Sequence, residues 1–142
     1  MTDDTPELVA RHLRFGWYAL AAFSVLGIGL ELLHAFKLGF YLDVGSETRR
    51  LMWRLAHAHG TLLSLVNVAF GAGAARLEPG RARRRASACL IVAAVSMPLG
   101  FFLAGAFATA ADPSPLVALV PAGAALLVAG AVSAARAVRS AR

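Results

Sequence analysis

The sequence is poor in charge and in cysteine, and both shortages restrict what the chain can be. Only 15% of its residues are charged, whereas 58% are hydrophobic. A soluble domain of this composition could not cover its core with polar surface. The single cysteine, Cys89, cannot form an internal disulfide. The net charge of +6 comes mainly from arginines between or beyond apolar runs, and too little polar chain remains for a nucleic-acid-binding face.

Several motifs that would identify an enzyme or a cofactor are also missing. The sequence has no His-Glu-x-x-His zinc motif, no P-loop and no Gly-x-Ser-x-Gly elbow. It has no Cys-x-x-Cys-His motif, so any haem would be bound noncovalently. Glu31 and His34 have the spacing found in di-iron carboxylate bundles, but the third and fourth apolar runs supply no second pair of this kind. We therefore do not expect a stand-alone enzyme.

Four long apolar runs predict an all-α, integral-membrane four-helix bundle. Roughly 20 helical residues cross the hydrocarbon of a bilayer, and the predicted spans cover residues 15–36, 50–75, 86–110 and 116–138. Residues 1–14 form a cytoplasmic or interfacial segment in which we expect His12 to be an interfacial residue, and residues 139–142 form a basic tail. The arginine-rich segment 76–85 is predicted to be a hairpin loop around Pro79 and Gly80.

The placement of basic residues predicts the orientation of the bundle. Ten lie in the N-terminal segment, the second loop and the tail: Arg11, Arg14, Arg76, Arg81, Arg83, Arg84, Arg85, Arg136, Arg139 and Arg142. The first and third loops contain three, namely Lys37, Arg49 and Arg50. By the positive-inside rule both termini are cytoplasmic. We expect a multi-pass protein of the bacterial inner membrane, in contact with the lipid bilayer and with no nucleic-acid partner, as a homo-oligomer or within a larger membrane complex.

Ionisable residues concentrate where the first span ends and the second begins. Glu31 and His34 lie within one turn of each other, and Arg54, His57 and His59 follow the intervening loop. These side chains are costly within a membrane, so they are candidates for function. His57 and His59 are about 200° apart around a regular helix and should face different neighbours. Ser64 and Asn67, further along the second span, are expected to form interhelical hydrogen bonds.

Imidazole and carboxylate side chains in this pattern predict a cofactor site. His34 and His57 could be axial ligands of haem b, with Arg54 paired to a propionate. Alternatively Glu31, His34 and either His57 or His59 could hold Cu, Zn or Fe. The competing interpretation is a polar clamp in which Glu31 pairs with Arg54 and the histidines bond to hydroxyl or backbone groups, without any cofactor.

Residues 56–60, Ala-His-Ala-His-Gly, resemble the His-x-His helices of haem-copper oxidases and of nitric-oxide-response membrane proteins. In the oxidases, the resemblance implies, the two histidines of such a pair serve different haems on opposite sides of one helix. The overall layout is similar to small four-helix bacterial membrane proteins with His-x-His near the start of the second span. That resemblance assigns no activity.

These observations predict a small membrane protein that binds haem or a transition metal near the outer membrane face, for electron transfer or ligand sensing. The alternative is a non-catalytic membrane scaffold or accessory subunit held together by a buried Glu-Arg-His clamp. A third interpretation is a subunit of a small transporter, which would have to oligomerise to enclose a path.

Overall fold

The computed structural model describes residues 5–109 and 112–138, and in these ranges the chain is helical with short connections. Its α-helices are α1 (Thr5–Ala35), α2 (Gly39–Leu42), α3 (Glu47–Gly73), α4 (Arg81–Ala106) and α5 (Leu119–Ala137). Short 3-10 turns cover Val44–Ser46, Ala74–Arg76 and Pro115–Ala118. Four helical stretches, containing α1, α3, α4 and α5, are long and apolar enough to cross a membrane.

Three of the four long helices begin earlier than the apolar runs that predicted them, whereas α5 begins later, at Leu119 instead of residue 116. Helix α1 has 31 residues and is therefore about 46 Å long, against roughly 30 Å for the hydrocarbon core. Residues 5–14 are its first turns rather than a separate segment, and α4 already begins at Arg81, within the predicted loop 76–85. Hydropathy locates the apolar part of a helix, whereas the hydrogen-bonded backbone continues into polar turns. The predicted tail 139–142 lies outside the described residues.

The long helices pack in chain order. Helix α1 packs against α3, α3 against α4, and α4 against α5, whereas no Cα atoms of α1 and α5 come within 8 Å of each other in the described residues. The two middle helices are accordingly the most buried, with 39% and 50% of their apolar windows inside the protein, against 11% for α1 and 17% for α5. The four helices thus form a row rather than a closed ring, so α1 and α5 each leave a broad face uncovered by protein.

Glycines set the close approach of α1 to α3. A Cβ atom built on Gly16 would lie 2.6 Å from Val68, and one on Gly27 would lie 2.8 Å from Nδ1 of His57. On the opposing helix, Gly60 faces the ring of Phe23 in the same way. Small residues allow helices in lipid to approach closely. Gly16 and Gly27 therefore lie on the side of α1 that faces α3.

Helix α1 ends in a left-handed residue that is not glycine. Lys37 has φ 51°, and the backbone N–H groups of Lys37 and Leu38 donate to the carbonyls of His34 and Leu33 at 3.1 Å each. These two bonds form a Schellman motif, which satisfies carbonyls that the helix end would otherwise leave unpaired. The chain then turns through α2 towards α3, and the end of α1 therefore lies beside the start of α3.

Candidate functional site

A cavity of about 890 Å³ lies between α1 and α3, at the end where α1 stops and α3 starts. We call it the α1–α3 cavity. Its wall includes Glu31 and His34 from α1 and Arg54 and His57 from α3. Four of the five residues selected from the sequence therefore line one cavity. Volumes of this order are typical of small-molecule sites.

His57 is held in one orientation at the wall of this cavity. Its Nδ1 lies 2.8 Å from the backbone oxygen of Phe23, and its ring lies against Gly27, where a Cβ would be only 2.5 Å from Cε1. A carbonyl oxygen can only accept, so Nδ1 must donate and Nε2 of the neutral ring carries the lone pair. Histidines that bind metals or haem commonly have their second nitrogen fixed in this way.

His59 lies on the other side of α3. Its Nδ1 is 2.9 Å from the backbone oxygen of Leu55 in the same helix, and its ring centroid is 4.8 Å from that of Phe101 on α4. The prediction that His57 and His59 face different neighbours is confirmed. His59 does not line the α1–α3 cavity, because two residues of a regular helix turn the chain away by about 200°.

The donor set that a metal ion would need is not assembled by the described residues. They contain no group of three or more His, Cys, Asp and Glu side chains placed to hold a metal ion. The combination of Glu31, His34, His57 and His59 therefore receives no support as a metal site. His59 lies towards α4, so it is excluded as the alternative to His57 in this set.

The charged wall of the cavity is net basic and includes an arginine that the sequence argument did not select. Arg50 lies one turn before Arg54 and also lines the cavity. Its Nη1 donates to the backbone oxygens of Tyr41, at 2.9 Å, and Asp43, at 3.0 Å. The i,i+4 spacing of the two arginines was the signal that could have found it. Glu31 and Arg54 both have exposed side chains, and the structure records no ion pair between these two described residues.

A second polar cluster lies far from the cavity, where the first turns of α1 and α4 meet α3. We call it the His12 network, formed by Arg11, His12, Asn67 and Ser87. His12 Nδ1 lies 2.9 Å from Oδ1 of Asn67, and Nε2 lies 2.8 Å from Oγ of Ser87. Arg11 Nη2 donates to the same hydroxyl at 2.7 Å. His12 is fully buried at 0% exposure, a burial among the helices that the sequence argument did not predict.

Asn67 orients the whole network. Its Nδ2 donates to the backbone oxygens of Leu63, at 2.9 Å, and Leu90, at 3.3 Å, so its Oδ1 is left to accept from His12. The ring nitrogen Nδ1 is then the protonated one, and Ser87, which accepts from Arg11, can donate to Nε2. The prediction that Asn67 forms interhelical hydrogen bonds is confirmed. Ser64 instead donates to Gly60 in its own helix, at 2.7 Å.

The two clusters differ in what they can do chemically. Both ring nitrogens of His12 have protein partners, so this histidine joins three helices. His57 has one nitrogen fixed by the backbone and borders a cavity with two arginines in its wall. A molecule in this cavity can therefore bind the Nε2 lone pair of His57 and place negative charge beside the arginines.

Comparisons of the chain with protein-family models, curated proteins and solved structures found no match.

Proposed function

We propose that this chain is a membrane protein that binds haem b noncovalently in the α1–α3 cavity. The observation that carries the proposal is that one cavity of about 890 Å³ is lined by His34 and His57 together with Arg50 and Arg54. Proteins commonly bind haem through one or two imidazole ligands, with cationic side chains beside the propionates. A bare metal ion needs three or more protein ligands, and the described residues contain no such group of His, Cys, Asp and Glu side chains.

In this proposal His57 would hold the haem iron, and His34 is the candidate second ligand. The bond from His57 Nδ1 to the carbonyl of Phe23 leaves Nε2 to coordinate iron. Arg54, which has an exposed side chain, would pair with a propionate, and Arg50 would add positive charge one turn away. Leu30, Leu51 and Leu55 supply apolar wall for the porphyrin. Bound haem would supply one-electron or gas-binding chemistry, which are the bases of electron transfer and ligand sensing.

The orientation and surroundings of the protein complete the proposal. In our proposal both termini lie in the cytoplasm of a bacterium, and the α1–α3 cavity lies near the outer face of the inner membrane. The uncovered faces of α1 and α5 meet lipid, further copies of the chain or other subunits of a membrane complex. The support for this orientation is the distribution of basic residues.

A haemin titration of the purified protein in detergent tests the proposal. We expect a Soret band that shifts on binding and is lost in His57→Ala. His59→Ala is the matched control, since this histidine lies two residues away but outside the cavity, and it should bind haemin like the wild type. His34→Ala tests whether one histidine or two would hold the iron, because loss of a second imidazole would change the spectrum from low-spin to high-spin haem. Equal binding by wild type, His57→Ala and His59→Ala would refute the assignment.

The second candidate function is a non-catalytic scaffold or accessory subunit. It is favoured by the His12 network, in which polar side chains of α1, α3 and α4 bond to one another within the protein. The His12 network would then take the place of the clamp expected from the sequence, although it lies at the opposite end of α1 from Glu31. If the haemin titration gives no specific band while loss of the His12 network unfolds the protein, this candidate replaces haem binding.

A further inference from the structure

A second depression, between α1 and α4, is lined only by apolar side chains. We call it the α1–α4 groove. Its volume is about 260 Å³, and its walls include Phe15, Ala19 and Phe23 from α1 and Val95, Leu99 and Phe102 from α4. Val95 and Leu99 are 48% and 43% exposed. The groove therefore opens to the medium around the helices, which for a membrane-inserted chain is lipid.

The length of the groove fits one leaflet of a bilayer. On α1 it extends from Phe15 to Leu26, a rise of roughly 16 Å along a helix. Half of the hydrocarbon core of a bilayer measures about 15 Å. A single extended acyl chain lying along the groove would thus be covered from the headgroup region to the bilayer centre.

Two arginines lie at the same end of this groove. Arg11 lies one turn before Phe15, its side chain is exposed, and its Nη2 reaches Ser87 of α4 at 2.7 Å. Arg84 is also exposed and lies one turn before Ser87. It is eleven residues before Val95, which places both on the same face of α4. Each helix thus contributes one exposed arginine beyond the same end of the groove. Along their helices, Arg11 lies about 6 Å from Phe15 and Arg84 about 16 Å from Val95.

The acidic group nearest to this end along α1 does not occupy the groove. Glu7 lies one turn before Arg11, farther from Phe15, and its side chain is exposed. The groove itself has no acidic lining residue. A phosphate at the arginine end would meet net positive charge, and guanidinium groups bind phosphate through paired hydrogen bonds.

We propose that the α1–α4 groove binds an anionic phospholipid, with one acyl chain along the groove and the phosphate between Arg11 and Arg84. The proposal rests on membrane insertion of the helices and not on haem binding, because the groove and the haem-binding cavity are lined by different residues apart from the α1 backbone near Phe23. Basic residues at the end of a membrane helix attract anionic headgroups, and the apolar wall adds the energy of burying the chain.

Native mass spectrometry of the purified protein with added phosphatidylglycerol or phosphatidylcholine tests this binding. We expect the wild type to prefer phosphatidylglycerol, and the double variant Arg11→Gln and Arg84→Gln to bind it about 30-fold more weakly, in line with the contribution of two basic residues at an anionic surface. The matched control removes Arg76, in the turn after α3, and Arg136, on α5. Both arginines are exposed but lie on neither of the helices that form the groove, so this variant should retain the preference.

The apolar part of the site is tested separately. Ala19→Trp fills the groove and should weaken binding of both lipids, whereas Ala22→Trp adds the same side chain at an exposed position of α1 outside the groove. If loss of Arg11 disturbs folding through Ser87, Arg84→Gln alone keeps that bond and must still reduce the preference. The proposal is overturned if the Arg11 and Arg84 variant behaves like the Arg76 and Arg136 control, or if the two tryptophan variants bind alike.

Discussion

His12 donates from Nδ1 to the amide oxygen of Asn67 across 2.9 Å, although the two residues lie 55 positions apart in the chain. Asn67 in turn holds the backbone of α4 through Leu90. Buried polar groups without partners are costly, so each bond in this network depends on the others. The hydrogen bond from His12 to Asn67 fixes the register of α1 against α3, and the bond from Asn67 to Leu90 joins both helices to α4.

Asn67→Ala should lower the free energy of unfolding by about 1–3 kcal/mol, because it leaves the buried N–H of His12 without an acceptor. Denaturant titration in mixed micelles measures the loss. His34→Ala is the control, since its side chain is exposed and its effect should stay within roughly 0.5 kcal/mol.

The paired variant His12→Phe with Asn67→Leu removes both partners at once and should recover most of the stability lost in Asn67→Ala, because no orphaned polar ring remains. If the paired variant is less stable than Asn67→Ala, the hydrogen bond is not what couples these positions.

Gly60→Ala should destabilise the packing of α1 on α3. The added methyl would clash with the ring of Phe23, and overpacking of this kind costs about 1–3 kcal/mol. Gly29→Ala on α1 is the matched control, because a Cβ there meets nothing within 4 Å and the change should stabilise the helix by up to about 1 kcal/mol. Thermal unfolding in detergent compares the two. Equal melting temperatures of the two variants would show that the Phe23 ring moves aside without loss of stability, and would contradict the prediction.

The sequence predicted the fold better than the site, for physical reasons that particular residues show. Long apolar runs identify, by composition alone, helices that are long and apolar enough to cross a membrane, and the 100° rotation per residue correctly separated His57 from His59. The burial of His12 could not be predicted, because it depends on Asn67 and Ser87, which lie 55 and 75 positions away. Arg50 was missed because it was counted with the basic residues of the first loop, at the very start of the predicted span 50–75, whereas the helix already begins at Glu47.

Lys37→Gly should stabilise the protein by about 1 kcal/mol. Lys37 has φ 51°, a left-handed conformation that is unfavourable for any residue with a Cβ and free of strain for glycine. Lys37→Ala removes the charge but keeps the Cβ, so it should give no such gain. Unfolding measurements on the two variants separate conformation from charge. A gain of the same size in Lys37→Ala would assign the effect to the lysine charge instead.

Cysteine labelling should place the turn at Val44–Ser46 outside the cell and the turn at Ala74–Arg76 inside it. The exposed arginines Arg76, Arg81, Arg84 and Arg85 cluster at the second turn, and such clusters remain on the cytoplasmic side. In a Cys89→Ser background, Val44→Cys introduces a thiol at a position that is 90% exposed and should react with an impermeant maleimide in intact cells. Ala75→Cys, also at an exposed position, should react only after the cells are opened. The reverse pattern would invert the proposed orientation and move the α1–α3 cavity to the cytoplasmic face, because this cavity lies beside the turn that contains Val44.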